Sequence, residues 1–318
     1  MSSRDTLTLF GTASVCLGTS FVAIKAGLAT VPPVLFAAFR FDIAAVLLLA
    51  FVAVAYDSWL PQTRGDVLGI VTSAVFVVGI NNALLFVGQQ YTGSGAAAIM
   101  YSLMPVVSPV FAYLALGDRI ARWDVAGILV GLVGVVVIVQ PSPDQFGSGT
   151  FGQSLVLVAA LSVSLGSVLL QRAHSRLATL PLSAWAMLVG AVGLHVASLA
   201  VGESMAAIPW TAETLAAVGY VGVPGTAVAY GAYFLLIAEA GPVRANLVSY
   251  AVPAVASVTA WLLLGEQLAA TTLVGFGVIL AGFAVLQRRQ LGSEVVRLRR
   301  GVESESIAVG IEIGRAHV

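Results

Sequence analysis

What this sequence lacks most is charge. Only 9% of its 318 residues are Asp, Glu, Lys or Arg, against 59% hydrophobic residues. A soluble domain carries about 25% charged residues because its surface must be hydrated, so this chain cannot cover a water-facing surface. Fifteen basic and fifteen acidic residues cancel to a formal net charge of zero. No excess remains to attract a polyanion, which argues against a nucleic-acid binder. Cysteine occurs once, at Cys16, and excludes both an internal disulfide and a Cys-rich metal site. The three histidines, His174, His195 and His317, are too few and too scattered for metal chemistry, and nothing implies a cofactor. A Walker phosphate loop, an HExxH motif, paired aspartates and a Ser/His pair at matched depth are all missing, so neither ATP hydrolysis nor intramembrane catalysis is indicated.

What is present is hydrocarbon-compatible helix. Crossing the apolar core of a bilayer takes about 20 residues, and ten segments of that length lie between charges and Gly/Pro punctuation. They span 7–29, 34–55, 66–89, 94–116, 122–140, 151–172, 181–202, 213–237, 243–264 and 271–288. Most connections are a few residues long, such as Pro32-Pro33 and Gly117-Asp118-Arg119, which makes successive helices antiparallel neighbours. With ten spans, 13 of the 15 basic residues fall on one side: Arg4, Arg64, Arg119, Arg122, Arg172, Arg176, Arg244 and the six arginines from Arg288 to Arg315. Cytoplasmic loops are enriched in Lys and Arg, so both termini are expected in the cytoplasm of a multi-pass cell-membrane protein. The apolar run after Arg4 is too long for a signal peptide and is expected to remain as helix 1.

The chain also repeats itself. An offset of 148 residues aligns Pro105 with Pro253, Gly117 with Gly265, Gly127 with Gly275 and Gly134 with Gly282, and 13 of 34 positions from 105 to 138 are identical. The same offset pairs Leu17-Gly18-Thr19 with Leu165-Gly166-Ser167, Pro33 with Pro181 and Phe86 with Phe234. The expected architecture is all-α, with ten transmembrane helices in two five-helix repeats, residues 1–141 and 142–288, followed by a charged cytoplasmic tail at 289–318. Five is odd, so the second repeat enters from the opposite face. Inverted repeats recur in secondary transporters, with substrate sites near the midplane between them. Arg297, Arg299 and Arg300 in the tail suit either an interfacial helix on anionic lipid or a disordered segment.

Several motifs then carry a resemblance: LGTSFVAIKAGL in helix 1, AAFRF in helix 2, QQYTGSGAAAIMYSLMPVVSPVFAYLALGDRI through helix 4 and VSYAVPAVASVTAWLLLGEQL in helix 9. Over residues 7–288 the chain resembles the EamA-like transporters of the drug/metabolite transporter superfamily. The resemblance implies a ten-helix carrier with alternating access for small metabolites such as amino acids, often exported. One departure is Leu17, where the family often has tryptophan before Gly-Ser.

Polar residues at membrane depth are the candidate substrate contacts. An ionisable group near the bilayer centre costs at least about 2.5–3.5 kcal/mol and needs a partner or water. Lys25, Arg40 and Asp42 lie toward one face, about 10 Å in along helix 2 for the latter two. They form either a cationic vestibule for carboxylate or phosphate groups or, with Asp42 paired to Lys25, a structural pin. Uncharged candidates are Thr19, Ser20, Asn81, Asn82, Ser164, Ser167, Thr226 and Tyr230. Adjacent Asn81 and Asn82 cannot share a helix face, so at least one is expected toward the cavity. Tyr101 and Tyr250 precede Pro105 and Pro253, whose missing N–H groups kink helices 4 and 9 and mark them as lining the route. Gly127, Gly131, Gly134, Gly275 and Gly282 read as close helix packing, and Asp118 and Glu266 as solvated caps. The expected partners are a small-molecule substrate, a proton or other ion as a coupling candidate, and lipid. A receptor or scaffold of the same fold, binding without flux, is the alternative.

Overall fold

The computed structural model describes residues 3–139, 148–240, 245, 247–286 and 288. Every regular element among them is helical. Pro32 cannot continue a helix that needs its N–H, and α1 (Ser3–Gly27) gives way there to α2 (Pro33–Ala55). Then follow α3 (Arg64–Tyr91), α4 (Ser94–Leu116), α5 (Arg122–Val139), α6 (Ser148–Ala173) and α7 (Thr179–Ala200). α8 joins Ala212–Gly222, Val223–Val228 and Ala229–Ala240, and α9 (Val248–Leu264) and α10 (Ala270–Leu286) complete the bundle. Eight of these are long and apolar enough to cross a membrane, and α9 and α10 are shorter apolar helices of 17 residues. α4 and α9 end at Gly117 and Gly265, whose positive φ of 75° and 66° closes the last turn without a Cβ penalty. The expected tail at 289–318 lies outside the described residues.

Contacts between helix ends fix the up-and-down order. At what we call the upper end, Lys25 of α1 meets the end of α3 through Gln89 O at 2.6 Å. There Glu203, just past α7, caps α2 by accepting from the Val34 and Leu35 N–H groups at 3.0 and 2.7 Å. Glu266, just past α9, accepts from Ser94 N at the start of α4 at 2.8 Å. At the lower end, Asp66 of α3 accepts from Ser175 Oγ and the Arg176 N–H, both at 2.8 Å, and so holds the segment before α7. Trp185 Nε1 donates to Trp59 O at 2.9 Å, and the two indoles stack. Arg288 lies over the Trp123 ring at 5.0 Å and joins the end of α10 to the start of α5.

α5 packs extensively on α10, as do α3 on α6, α1 on α8 and α2 on α7. Glycines make the first possible: a Cβ on Gly134 would meet Gly275 O at 2.7 Å, and one on Gly127 would meet Gly282 O at 2.7 Å. These backbones touch, as the glycine spacing implied. The upper half of α4 packs on α9, with Gly95 against Ser257 and Leu268. The lower half of α4 turns instead to α6.

Candidate functional site

Three helices depart from regular α geometry, and the candidate site forms where they do. In α3, residues Ser73–Ile80 wind as a π-helix, and in α8 Val223–Val228 do the same. A π turn widens the helix and misaligns carbonyls, and such turns often occur at functional sites. Side chains one turn on take up the displaced carbonyls. Asn81 Nδ2 donates to Val77 O at 3.0 Å, and Asn82 Nδ2 donates to Val78 O at 2.8 Å and Val77 O at 3.2 Å. In α8, Thr226 Oγ1 donates to Val221 O at 2.7 Å. The third departure is in α4, which breaks at Ser102-Leu103, just before Pro105. The Ser102 hydroxyl closes that break on Ile99 O at 2.6 Å.

With their amides turned to the backbone, the Asn oxygens face inward as acceptors. Asn81 Oδ1 accepts from the hydroxyl of Tyr101, whose ring meets that of Phe21 edge-on at 5.6 Å between centroids. Asn82 Oδ1 accepts from Arg40 Nη1 at 3.4 Å. Arg40 comes from α2 and is 5% exposed. Its Nε donates to Thr226 Oγ1 at 2.6 Å, its Nη2 to Gly225 O at 3.4 Å, and its guanidinium lies 5.3 Å from the Phe41 ring centroid. The hydroxyls of Tyr101 and Tyr230 lie within electrostatic reach of it. Every partner of Arg40 is neutral, and no carboxylate pairs with it among the described residues. A guanidinium has five N–H donors. Three are engaged here, two of them at the long end of hydrogen bonding.

The structure thus gathers Arg40, Asn81, Asn82, Tyr101, Thr226 and Tyr230 from four helices. Other candidates stand apart. The Lys25 ammonium donates to the carbonyls of Gln89, Gln90 and Thr92 at 2.6, 3.3 and 3.1 Å, so it caps α3 rather than facing Arg40. Thr19 Oγ1 and the Tyr220 hydroxyl are 2.7 Å apart across α1 and α8. Ser20 Oγ returns to Leu17 O at 2.6 Å, and its Cβ packs beside Gly225. Ser164 donates to Met104 O at 3.2 Å and Ala160 O at 3.1 Å, whereas Ser167 is exposed. Tyr250 packs its ring 4.3 Å from that of Phe283, and its buried hydroxyl has no hydrogen-bond partner among the described residues.

The sequence reading missed two features. Asp42, weighed as a partner for Lys25, instead meets His195 of α7, with Oδ2 and Nε2 2.8 Å apart. Glu266, read as a solvated cap, is tied to the backbone N–H and hydroxyl of Ser94 across the bundle. The one advance signal for Asp42–His195 was that each is a lone ionisable residue of its kind in an apolar helix.

A bundle of apolar helices around a buried, unneutralised cation defines a multi-pass helical membrane protein with an internal polar site. The chain belongs to the EamA-like transporter family, whose model matches it twice, over residues 6–140 and 150–288. It is 31% identical over 294 residues to the uncharacterized inner membrane transporter YedA of Escherichia coli, covering 90% of this chain and 92% of that one. A probable amino-acid metabolite efflux pump of the same organism is 27% identical over 281 residues, covering 85% and 91%. One crystal structure of a protein shares the fold, with a TM-score of 0.62 at 22% identity over 92% of this chain and 99% of the other.

Proposed function

We propose that this chain is a secondary transporter that exports a small carboxylate-bearing metabolite, an amino acid or related solute, by alternating access. The observation that carries the substrate class is Arg40: a buried guanidinium held by neutral acceptors, with two N–H donors unengaged among the described residues. Burying a cation is unfavourable unless it is paired, and a substrate carboxylate supplies the missing charge through a two-point hydrogen bond. The name of the efflux-pump relative supports the same substrate class and direction.

Two inverted repeats, 1–141 and 142–288, supply the alternation. Supporting this, the family model matches each half, and α2 with α7 and α5 with α10 run antiparallel although each pair shares its place in the 148-residue offset. The helix pairings also recur when each is advanced by five helices: α3 with α6 answers α8 with α1, and α1 with α9 answers α6 with α4. The lower end, carrying Arg64, Arg119, Arg122, Arg172, Arg176 and Arg288, is cytoplasmic, and both termini lie on that side. The upper half of α4 against α9 closes the external face, while their lower halves are apart. We read the chain as a carrier without catalytic residues.

The test is counterflow in liposomes preloaded with one amino acid at a time and given a labelled trace outside. Wild-type protein accumulates the label for at least one carboxylate substrate. Arg40→Gln reduces the rate about 10- to 100-fold, corresponding to about 1.5–3 kcal/mol for a charged hydrogen bond. Arg40→Gln with unchanged counterflow refutes the substrate class, and binding without counterflow marks a receptor.

A further inference from the structure

Asp42 follows Arg40 by two residues and stands about 200° around α2 from it, on the face toward α7. Its carboxylate and the His195 imidazole form the one ion pair found among the described residues, 2.8 Å apart. The pair is set about 14 Å along α2 from Pro33 and about 8 Å along α7 from Ala200, in the upper half of the bundle. It is not enclosed: the His195 and Asp42 side chains are 34% and 42% exposed. Val46, Val192 and Leu199, each about one turn away, are exposed apolar residues, so the pair stands on a face suited to hydrocarbon. Toward the upper end, the Phe39 ring lies 5.9 Å from His195 and 5.7 Å from the half-exposed Trp210, a residue type that favours the headgroup level.

Charge bookkeeping at this position is decisive. Without a proton on the imidazole the pair carries one negative charge on a lipid-facing surface, which is costly. With it, the pair is neutral overall. The other ionisable groups on the packed helices are turned elsewhere. Arg40 faces Thr226 and Asn82, and Glu203 is bound to Val34, Leu35 and Ser198. On α3, Arg64 and Asp66 lie at the lower end, and Tyr91 at the upper end meets Phe151. On α8, Glu213 starts the helix and is exposed, Tyr220 meets Thr19, Tyr230 and Tyr233 pack on Phe234, and Glu239 is at the lower end.

We propose that Asp42 and His195 form a proton-binding site, served from the upper membrane interface, whose occupancy is coupled to the anion site through α2. The neutral imidazole donates its Nε2–H to Asp42 Oδ2, and a proton from interfacial water bonds to His195 Nδ1; only that N–H bond forms, and it breaks when the proton returns to the same water. Loading it favours α2 docked on α7, and losing it leaves a carboxylate that draws the seam toward water. Because α2 also carries Arg40, the two occupancies are coupled. The proposal rests on the transporter reading above.

Two measurements test it, one independent of transport. In a His174→Asn/His317→Gln background, only His195 remains for imidazole NMR in nanodiscs; Asn suits position 174, where φ is 51°. The imidazole resonances are expected to respond to pH, and that response to change in Asp42→Asn. An imidazole that does not titrate, or is indifferent to Asp42, overturns the proposal. In liposomes with equal pH on both sides, wild-type counterflow is expected to change at least threefold between pH 5 and 9, and Asp42→Asn and His195→Gln to flatten that dependence. An equal pH dependence in wild type and both variants overturns it too. If wild-type protein shows no counterflow, the transporter reading fails instead, and the titration still decides whether the proton site exists.

Discussion

Gly282→Ala probes the tightest seam of the molecule. An added Cβ on Gly282 would stand 2.6 Å from both Gly127 O and Gly131 N and 3.0 Å from Gly131 Cα. All three are backbone atoms, so no side-chain rotation relieves them, and α10 has to move off α5. Overpacking of this kind costs about 1–3 kcal/mol. Against it stands the helix-propensity gain of Ala over Gly, about 0.8–1.0 kcal/mol. Gly277 in the same helix separates the two effects, since a Cβ there meets nothing within 4 Å. Gly277→Ala therefore keeps the gain without the clash, and the two variants should differ by about 1–3 kcal/mol. For a chain of this size that is roughly 2–6 °C in melting temperature. The single thiol of Cys16, half-buried in α1, provides the assay: a thiol-reactive fluorophore reports its exposure as detergent-solubilised protein is heated. Equal melting of the two variants would refute the argument that backbone contact, rather than apolar bulk, holds α5 to α10.

Lys25→Met should lower stability by about 1–3 kcal/mol, because three carbonyls at the end of α3 lose a charged donor. Half-maximal substrate concentration in counterflow should shift less than twofold, whereas a vestibule role requires a larger shift. Glu203→Ala uncaps α2 and should cost about 0.5–2 kcal/mol, read in the same thermal assay. Glu266→Ala releases Ser94. With Cys16→Ala and Ser257→Cys in place, the new thiol at the contact of α4 and α9 should react faster with a membrane-impermeant reagent from the upper side, and an unchanged rate would show that Glu266 does not hold that end shut.

The helices were legible because hydropathy, proline and glycine act locally. The expected span at 94–116 coincides with α4, and Pro105 announced the break at Ser102-Leu103. The π segments were not legible, since nothing in SAVFVVGI or VPGTAV separates a wide turn from an ordinary one until the neighbouring helices are placed. Arg40, Asn82 and Thr226 could each be singled out as costly or polar at depth, but their meeting is a tertiary fact. Asp42 and His195 are 153 residues apart and join only because α2 and α7 run antiparallel at one height. Lys25 was the instructive case: a lone charge near a helix end seeks either an anion or a cluster of carbonyls, and the sequence does not say which carbonyls arrive there.

Arg40 has one further consequence. Its guanidinium is already ligated by the protein, through Thr226, Asn82 and Gly225. Under the proposed function, an anion that takes the two open N–H groups also competes with these internal ligands from two other helices. Its net affinity would be the difference between the bonds it makes and those it loosens, to Asn82 of α3 and to Thr226 and Gly225 of α8. On that reading, self-ligation of this kind would keep the grip on the passenger loose enough for release on the far side, and would restore the resting bundle once the passenger leaves.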